Sequence, residues 1–298
     1  MTEDSILDAL RKRIPSPNLA LVLGIGDDAA VFRPSPDRDL VFTTDMMHEG
    51  RHFLRDYPAD AIGWKALARG LSDIAAMGAE PEFALLSLAL ADWVDEAWVH
   101  QFYDGFLAHA AKYNLSLAGG DLARAAHCGL DVTVCGSVPK GKAFRRDGAS
   151  PGDRIYVSGQ LGGASLGLRD ATNADARERH LRPQPRIELG RALQESGIPT
   201  AAMDLSDGLS TDLTRLLRAS GVAADLDGEI PIFPGATLED ALHGGDDYEL
   251  LFTSPATLPV ELAGISLTPI GTVRSGEAGS IHRHGKAIES RGWDHFRR

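Results

Sequence analysis

The stretch PADAIGWKALARGLSDIAAMGAEPEFALLSLAL, residues 58–90, decides the fold class. Apolar Ile62, Leu67, Leu71 and Ile74 recur at helical spacing, and Pro58 suits a first helical turn. Gly78 followed by Pro81 stops the pattern, so a helix is predicted over 58–77. EFALLSLAL (82–90) then reads as a short apolar strand. Working outward, LALVLGIG (19–26), DLVFTTD (39–45), LSLAGGD (115–121) and LDVTVCGSV (130–138) read as strands, and 94–112 as an amphipathic helix. The run PKGKAFRRDGASPGD (139–153) holds two prolines and three glycines and marks a connector. Beyond it come strand RIYVSG (154–159), helices near 184–196 and 207–219, and strands near 222–226 and 248–253. The expectation is a mixed α/β, α+β protein of two domains, 1–140 and 141–298.

Composition narrows the function. The chain has 298 residues, 43% hydrophobic and 24% charged, as an ordered globular protein has. Lys+Arg number 30 against 42 Asp+Glu, a net charge of −12. That acidity argues against coating nucleic acid or a membrane surface, both of which need a basic footprint. The most apolar run, FALLSLALA (83–91), is far short of a membrane span, and MTEDSILDAL lacks the basic start and apolar core of a secretory signal. Cys128 and Cys135 fit no zinc spacing and read as buried thiols, so a cytoplasmic, reduced protein is expected.

Gly24-Ile25-Gly26-Asp27-Asp28-Ala29 matches a dinucleotide-binding fingerprint after an apolar run, but the reading fails physically. Pro34 and Pro36 leave too little room for the helix that must follow, and two carboxylates would repel a pyrophosphate. No Walker-type phosphate loop is present either.

Aspartate recurs beside glycine or hydroxyl residues at the expected ends of elements. The places are Asp27-Asp28, Thr43-Thr44-Asp45, Ser72-Asp73, Gly119-Gly120-Asp121, Asp204-Leu205-Ser206-Asp207-Gly208 and Gly244-Gly245-Asp246-Asp247. Carboxylates and hydroxyls are the hard oxygen donors that Mg²⁺ takes, usually one or two at a time with waters and substrate phosphates. Ordinary turn chemistry explains Asp-Gly equally, and Asp204 or Ser206 could cap the helix near 207–219. Asp73 stands apart because it falls inside a helix, on a face with Ala66, Gly70 and Met77, where a carboxylate needs a partner. The residues by themselves point to a Mg²⁺–phosphate enzyme.

Read together, the segments resemble the thiamine-monophosphate kinase family of the aminoimidazole-ribonucleotide-synthetase-like ATP-binding superfamily. The matching runs are GIGDDAAVF (24–32), TTDMMHEGRHF (43–53), KALARGLSDIAAMGAEP (65–81), GGDLAR (119–124), GKAFRRDGASPGD (141–153), HLRPQPR (180–186), MDLSDGL (203–209), GGDDYEL (244–250) and GWDHF (292–296). The resemblance implies an N-terminal αβ domain that binds ATP and Mg²⁺ and forms a homodimer, and a C-terminal α+β domain that closes over the ligands. It implies a metal set of Asp28, Thr43, Thr44, Asp45, Asp73, Asp121, Asp204 and Asp207 for several Mg²⁺ ions. It places Tyr103, Gly120, Asp121, Arg146 and Ser206 beside ATP, and His52, Asp246 and Trp293 beside thiamine monophosphate. Asp45, Asp73 and Arg146 would carry the phosphoryl transfer. Two positions depart from the family's usual pattern, Asp246 standing where Glu is common and Trp293 where Tyr is common. The runner-up readings are another ATP-dependent enzyme of the superfamily and a non-catalytic Mg²⁺–nucleotide-binding regulator.

Overall fold

The computed structural model describes residues 3–13, 20–25 and 28–293. The chain divides into two compact units. The first runs to Ile74 and resumes over Glu80–Gly141, while the second takes Ala75–Ala79 and the chain from Lys142 onward.

The first unit contains α1 (Glu3–Arg13), β1 (Leu21–Leu23), β2 (Val31–Phe32), β3 (Arg38–His48), α2 (Ala59–Ala76), β4 (Glu80–Leu90), α3 (Glu96–Lys112), β5 (Ser116–Arg124) and β6 (Gly129–Pro139). Its four-stranded sheet has the order β3-β6-β4-β5. β6 pairs antiparallel with both neighbours, whereas β4 and β5 run parallel and are joined through α3. The helical periodicity seen in the sequence is the buried stripe of α2, with Ile62, Leu67, Leu71 and Ile74 at 1% exposure or less. Burying each such side chain stabilises the fold by roughly 1.5–3 kcal/mol. Two glycines let α2 and α3 touch: a Cβ on Gly63 would fall 1.9 Å from Phe102 O, and one on Gly105 1.8 Å from Asp60 O. Asp95 starts α3 by accepting a hydrogen bond from Trp98 N at 2.7 Å.

The second unit contains β7 (Arg154–Ser158), α4 (Gly163–Arg169), α5 (Ala174–Leu181), α6 (Ile187–Ser196), β8 (Ala201–Asp204), α7 (Leu209–Ser220), β9 (Ala223–Asp225), α8 (Leu238–His243), β10 (Leu250–Ser254), β11 (Glu261–Leu262), β12 (Ile265–Arg274), β13 (Ile281–Arg283) and β14 (Lys286–Ile288). Its sheet has the order β14-β13-β9-β12-β7-β10-β8, with β11 alongside β12. The β13–β9 pair is parallel and the other pairs are antiparallel. Leu209, Leu213, Leu216 and Leu217 of α7 pack with Ile155, Val157 and Leu251 in one core cluster.

The mixed α/β class expected from the sequence is the class found, and several boundaries differ for clear reasons. The strand expected over 19–26 is confined to Leu21–Leu23, and Gly26 and Asp27 lie outside the described residues. After the Gly24–Ala29 run comes β2, paired antiparallel with β1, so no dinucleotide-type helix follows. Asp45 and Asp121, expected at strand ends, sit inside β3 and β5. The helix expected from 184 begins at Ile187, after Pro183 and Pro185. Both cysteines are buried and unpaired with each other, and burial pushes their thiols up to about 11 for Cys128 and about 12 for Cys135.

Candidate active site

In the first unit, strand alternation sorts the candidate residues onto two faces of the sheet. Thr43 and Asp45 are held from α2: Thr43 Oγ1 donates to Asp73 Oδ2, and Arg69 Nη2 bridges Asp45 Oδ1 at 3.1 Å. Asp73 thus does have the partner its place inside a helix demands. Gly70, one turn earlier, lets the helix sit close, since a Cβ there would meet Val134 Cγ2 at 2.6 Å.

Thr44 points the other way, as the residue between two inward neighbours must. Its hydroxyl donates to Asp131 Oδ1 at 2.7 Å and accepts from Thr133 Oγ1 at 3.3 Å. Along the same face, Asp131 lies opposite Ser87, and Ser87 opposite Asp121. These residues border a cavity of about 880 Å³ that Asp28, Tyr103, Gly119 and Gly120 also line. A Cβ on Gly120 would fall 1.8 Å from Leu86 O, so glycine alone lets β5 run this close to β4. Tyr103 is almost fully buried, and burial raises its phenol above the usual tyrosine range. Asp121 Oδ1 accepts from Leu122 N at 2.9 Å.

His52 belongs to the turn after β3. Its Nδ1 accepts from His48 N at 3.0 Å, and its own N–H donates to His48 O at 3.0 Å, which fixes the ring against that turn. Glu49 anchors the same turn by accepting from Arg55, Trp93 Nε1 and Cys128 N; these bonds hold its carboxyl at about 2 although its partial burial opposes them.

In the second unit, the β8–β10 ladder runs on into both aspartate motifs. Leu205 N donates to Glu249 O at 2.8 Å, Tyr248 N to Leu205 O at 2.9 Å and Asp246 N to Ser206 O at 2.8 Å. The runs MDLSDGL and GGDDYEL are therefore neighbours, and Asp204 is buried where they meet. The helix-cap reading of Asp204 or Ser206 does not hold: α7 is preceded by Gly208 with no side-chain cap. Instead, Asp212 in the first turn of α7 reaches back, and its Oδ2 accepts from Ser206 N at 3.1 Å and Asp207 N at 2.9 Å. Burial pushes the Asp212 carboxyl up to about 6, opposed by those N–H groups and by Arg215. Arg215 Nη1 also bridges Asp207 Oδ2 at 2.6 Å.

Glu249 is fully buried, gripped by Arg186 through both carboxylate oxygens, by Arg179 at 3.3 Å and by Ser158 Oγ at 2.5 Å. Asp247 accepts from Gly162 N at 2.6 Å and Ala164 N at 3.3 Å, while burial pushes its carboxyl up to about 7. In the connector, Arg145 pairs with Asp147 at 2.9 and 2.5 Å, whereas the exposed Arg146 has no ion pair among the described residues. Trp293 is 45% exposed, and its backbone N–H donates to Asp207 O at 3.0 Å. The last three residues of GWDHF, Asp294, His295 and Phe296, lie outside the described residues.

Among the described residues, no three His, Cys, Asp or Glu side chains group closely enough to hold a metal by themselves. The donors nevertheless fit Mg²⁺: every first-unit candidate offers a carboxylate or hydroxyl oxygen, in ones and twos, and Mg²⁺ is ordinarily completed by waters and substrate phosphates. Sequence reasoning missed Asp131, Asp212, Arg215 and Glu249. Alternation in LDVTV puts Asp131 and Thr133 on one face and was the available signal for Asp131; nothing in local spacing marks the other three.

The chain is similar to known proteins over nearly its whole length. The families described as AIR synthase related protein, N-terminal domain and C-terminal domain, match residues 26–138 and 150–281. Thiamine-monophosphate kinase of Escherichia coli K12 is 38% identical, covering 99% of this chain and 98% of that protein. The crystal structure of thiamine-monophosphate kinase from Stenotrophomonas maltophilia K279a superposes with a TM-score of 0.83 at 39% identity, over 96% of each chain. AaThiL complexed with AMPPCP and TMP superposes at 0.80 with 33% identity, over 99% of this chain and 97% of that one. No helix among the described residues is long and apolar enough to cross a membrane. With two AIR-synthase-type domains and relatives of this likeness along its full length, the chain belongs to the thiamine-monophosphate kinase family of AIR synthase related proteins.

Proposed function

We propose that the protein transfers the γ-phosphoryl group of ATP to thiamine monophosphate, forming thiamine diphosphate and ADP, as a cytoplasmic Mg²⁺-dependent homodimer. The observation that carries this reading is the full-length likeness to AaThiL complexed with AMPPCP and TMP. In this reading residues 1–140 bind ATP and Mg²⁺ and dimerise, and residues 141–298 close over the ligands. Phe42 and Met46 of β3 are 60% and 53% exposed on the face that Thr44 shares, which supports pairing of that sheet with a second copy.

In this reading Tyr103, Gly120 and Asp121 contact the nucleotide, and Ser206 and Arg146 are assigned to it as well. Asp28, Thr43, Thr44, Asp45, Asp73, Asp121, Asp204 and Asp207 supply the oxygen ligands. When bound, Mg²⁺ neutralises the two phosphate groups so that one can approach the other. The acceptor needs no general base, because a phosphate monoester with a second pKa near ~6 is already largely dianionic at neutral pH. This agrees with a residue set rich in carboxylates; the Ser210 hydroxyl that meets His243 Nδ1 at 2.8 Å is not assigned a part in the transfer. Arg146, whose guanidinium has no ion pair among the described residues, is suited to grip phosphate oxygens, and His52, Asp246 and Trp293 orient the thiamine moiety. Asp45, Asp73 and Arg146 are the residues on which turnover depends most.

The test is a panel of acceptors offered with ATP and Mg²⁺: thiamine monophosphate, thiamine and unrelated phosphate monoesters. ADP formation that requires thiamine monophosphate supports the reading. ADP formation independent of acceptor, or absent under varied metal conditions, overturns it.

A further inference from the structure

We propose that Tyr248 is a positioning residue for the acceptor, holding the Asp246 carboxylate in one orientation through its phenol hydroxyl; this rests on the proposed function. Tyr248 is 3% exposed, and its hydroxyl donates to Asp246 Oδ1 at 2.9 Å. The two residues are brought together by an unusual backbone. Asp246 and Tyr248 both have left-handed φ, +65° and +52°. Left-handed backbone is common for Asp but costly for an aromatic residue, and persists only where surroundings over-determine it.

The surroundings here do so on every side. Between the two left-handed residues, Asp247 is pinned by Gly162 N and Ala164 N. Immediately after them, Glu249 is locked by Arg186, Arg179 and Ser158. The N–H groups of Asp246 and Tyr248 themselves bond to Ser206 O and Leu205 O. An extended backbone would place side chains 246 and 248 on the same face but well apart along the strand. The double left-handed turn instead curls the segment so that the phenol meets the carboxylate. Such a bond removes rotamer freedom from a short carboxylate that follows a glycine-rich turn, Gly244-Gly245. Asp is one methylene shorter than Glu, so its placement depends more heavily on what holds it.

The experiment measures equilibrium binding of thiamine monophosphate and, separately, of AMPPCP to the full chain, with turnover measured alongside. Tyr248→Phe keeps the ring and every backbone hydrogen bond, removing one hydroxyl. The expected result is about tenfold weaker binding of thiamine monophosphate, the size of a hydrogen bond to a charged group, with AMPPCP affinity unchanged. In an Asp246→Ala background the same substitution should add nothing. Three results overturn the proposal: unchanged acceptor affinity, the same loss in both backgrounds, or an equal loss for both ligands, which would mark a general structural defect. If the wild-type protein turns over thiamine monophosphate and Tyr248→Phe matches it, the proposal alone falls. If the wild type neither binds nor turns over that acceptor, the functional reading falls with it.

Discussion

Replacing Gly120 by alanine should damage both the fold and the nucleotide side of the site, and the size of the effect follows from one distance. A Cβ at 120 would stand 1.8 Å from Leu86 O and 2.7 Å from Leu86 C, both rigid backbone atoms of β4. Ordinary contact lies near ~3.5 Å, so β5 would have to move by more than about 1 Å. That displacement would pull at the parallel pairing of Leu86 with Gly120 and Ser87 with Asp121. Overpacking of this kind costs about 1–3 kcal/mol, and a domain of this size loses roughly 2–4 °C of Tm per kcal/mol. A drop of about 2–12 °C is expected, with AMPPCP binding weakened at least tenfold because Gly120 and Asp121 line the cavity. Gly119→Ala is the control: its Cβ would meet only Leu85 Cδ2, a movable side-chain end, at 3.3 Å. Thermal melts and equilibrium titration of both variants decide the matter. Equal behaviour of the two, or a Gly120→Ala protein with unchanged Tm and AMPPCP affinity, would refute the close-approach argument.

Three other outcomes are expected. Asp73→Asn should lower turnover at least about 100-fold while its melt stays within about 1 kcal/mol of wild type, since Asn can still accept from Thr43 Oγ1; activity near wild type would remove Asp73 from the ligand set. Glu249→Gln should destabilise the second unit by about 3 kcal/mol in chemical denaturation, because it removes the buried charge that Arg186 and Arg179 share. His109 is fully buried and stacked 3.9 Å from Trp64, and burial pushes its imidazole down to about 4, with Lys112 adding in the same direction against the Trp64 carbonyl bond. The unfolded chain therefore binds a proton near pH 6.5 that the folded protein refuses, so this stabilising term is complete above 6.5 and is lost as pH falls towards 4. The loss is about 3 kcal/mol over that window, and His109→Phe should flatten it in denaturation curves measured at pH 7, 6 and 5.

Much of the architecture was legible because it rests on local pattern. The apolar spacing of Ile62, Leu67, Leu71 and Ile74 is the buried face of α2, and Gly78 ends the helix with a left-handed φ of +67°. Asp73 was legible for the same reason, as a carboxylate on a helix face otherwise built of small and apolar residues. Residues whose roles depend on distant partners were not. Thr44 meets Asp131 only because β3 and β6 pair antiparallel over residues far apart in the chain. Asp212 looks like any helical aspartate until its carboxylate is seen holding Ser206 N and Asp207 N. Glu249 lies in an apolar run, and no spacing rule reveals that Arg179 and Arg186 arrive from α5 and the segment preceding α6 to neutralise it. The strand positions of Asp45 and Asp121 differ from expectation because an aspartate after hydroxyl residues or glycines imitates a turn, while cross-strand pairing carries the strand through them.

The central claim is that one phosphoryl group passes directly from ATP to the phosphate of thiamine monophosphate. The most direct measurement follows ATP labelled at the γ-phosphorus through a single incubation with the protein, Mg²⁺ and thiamine monophosphate. All transferred label should appear in the terminal phosphate of thiamine diphosphate, in step with ADP. Label released as inorganic phosphate, or ADP formed equally well without the acceptor, would contradict the account.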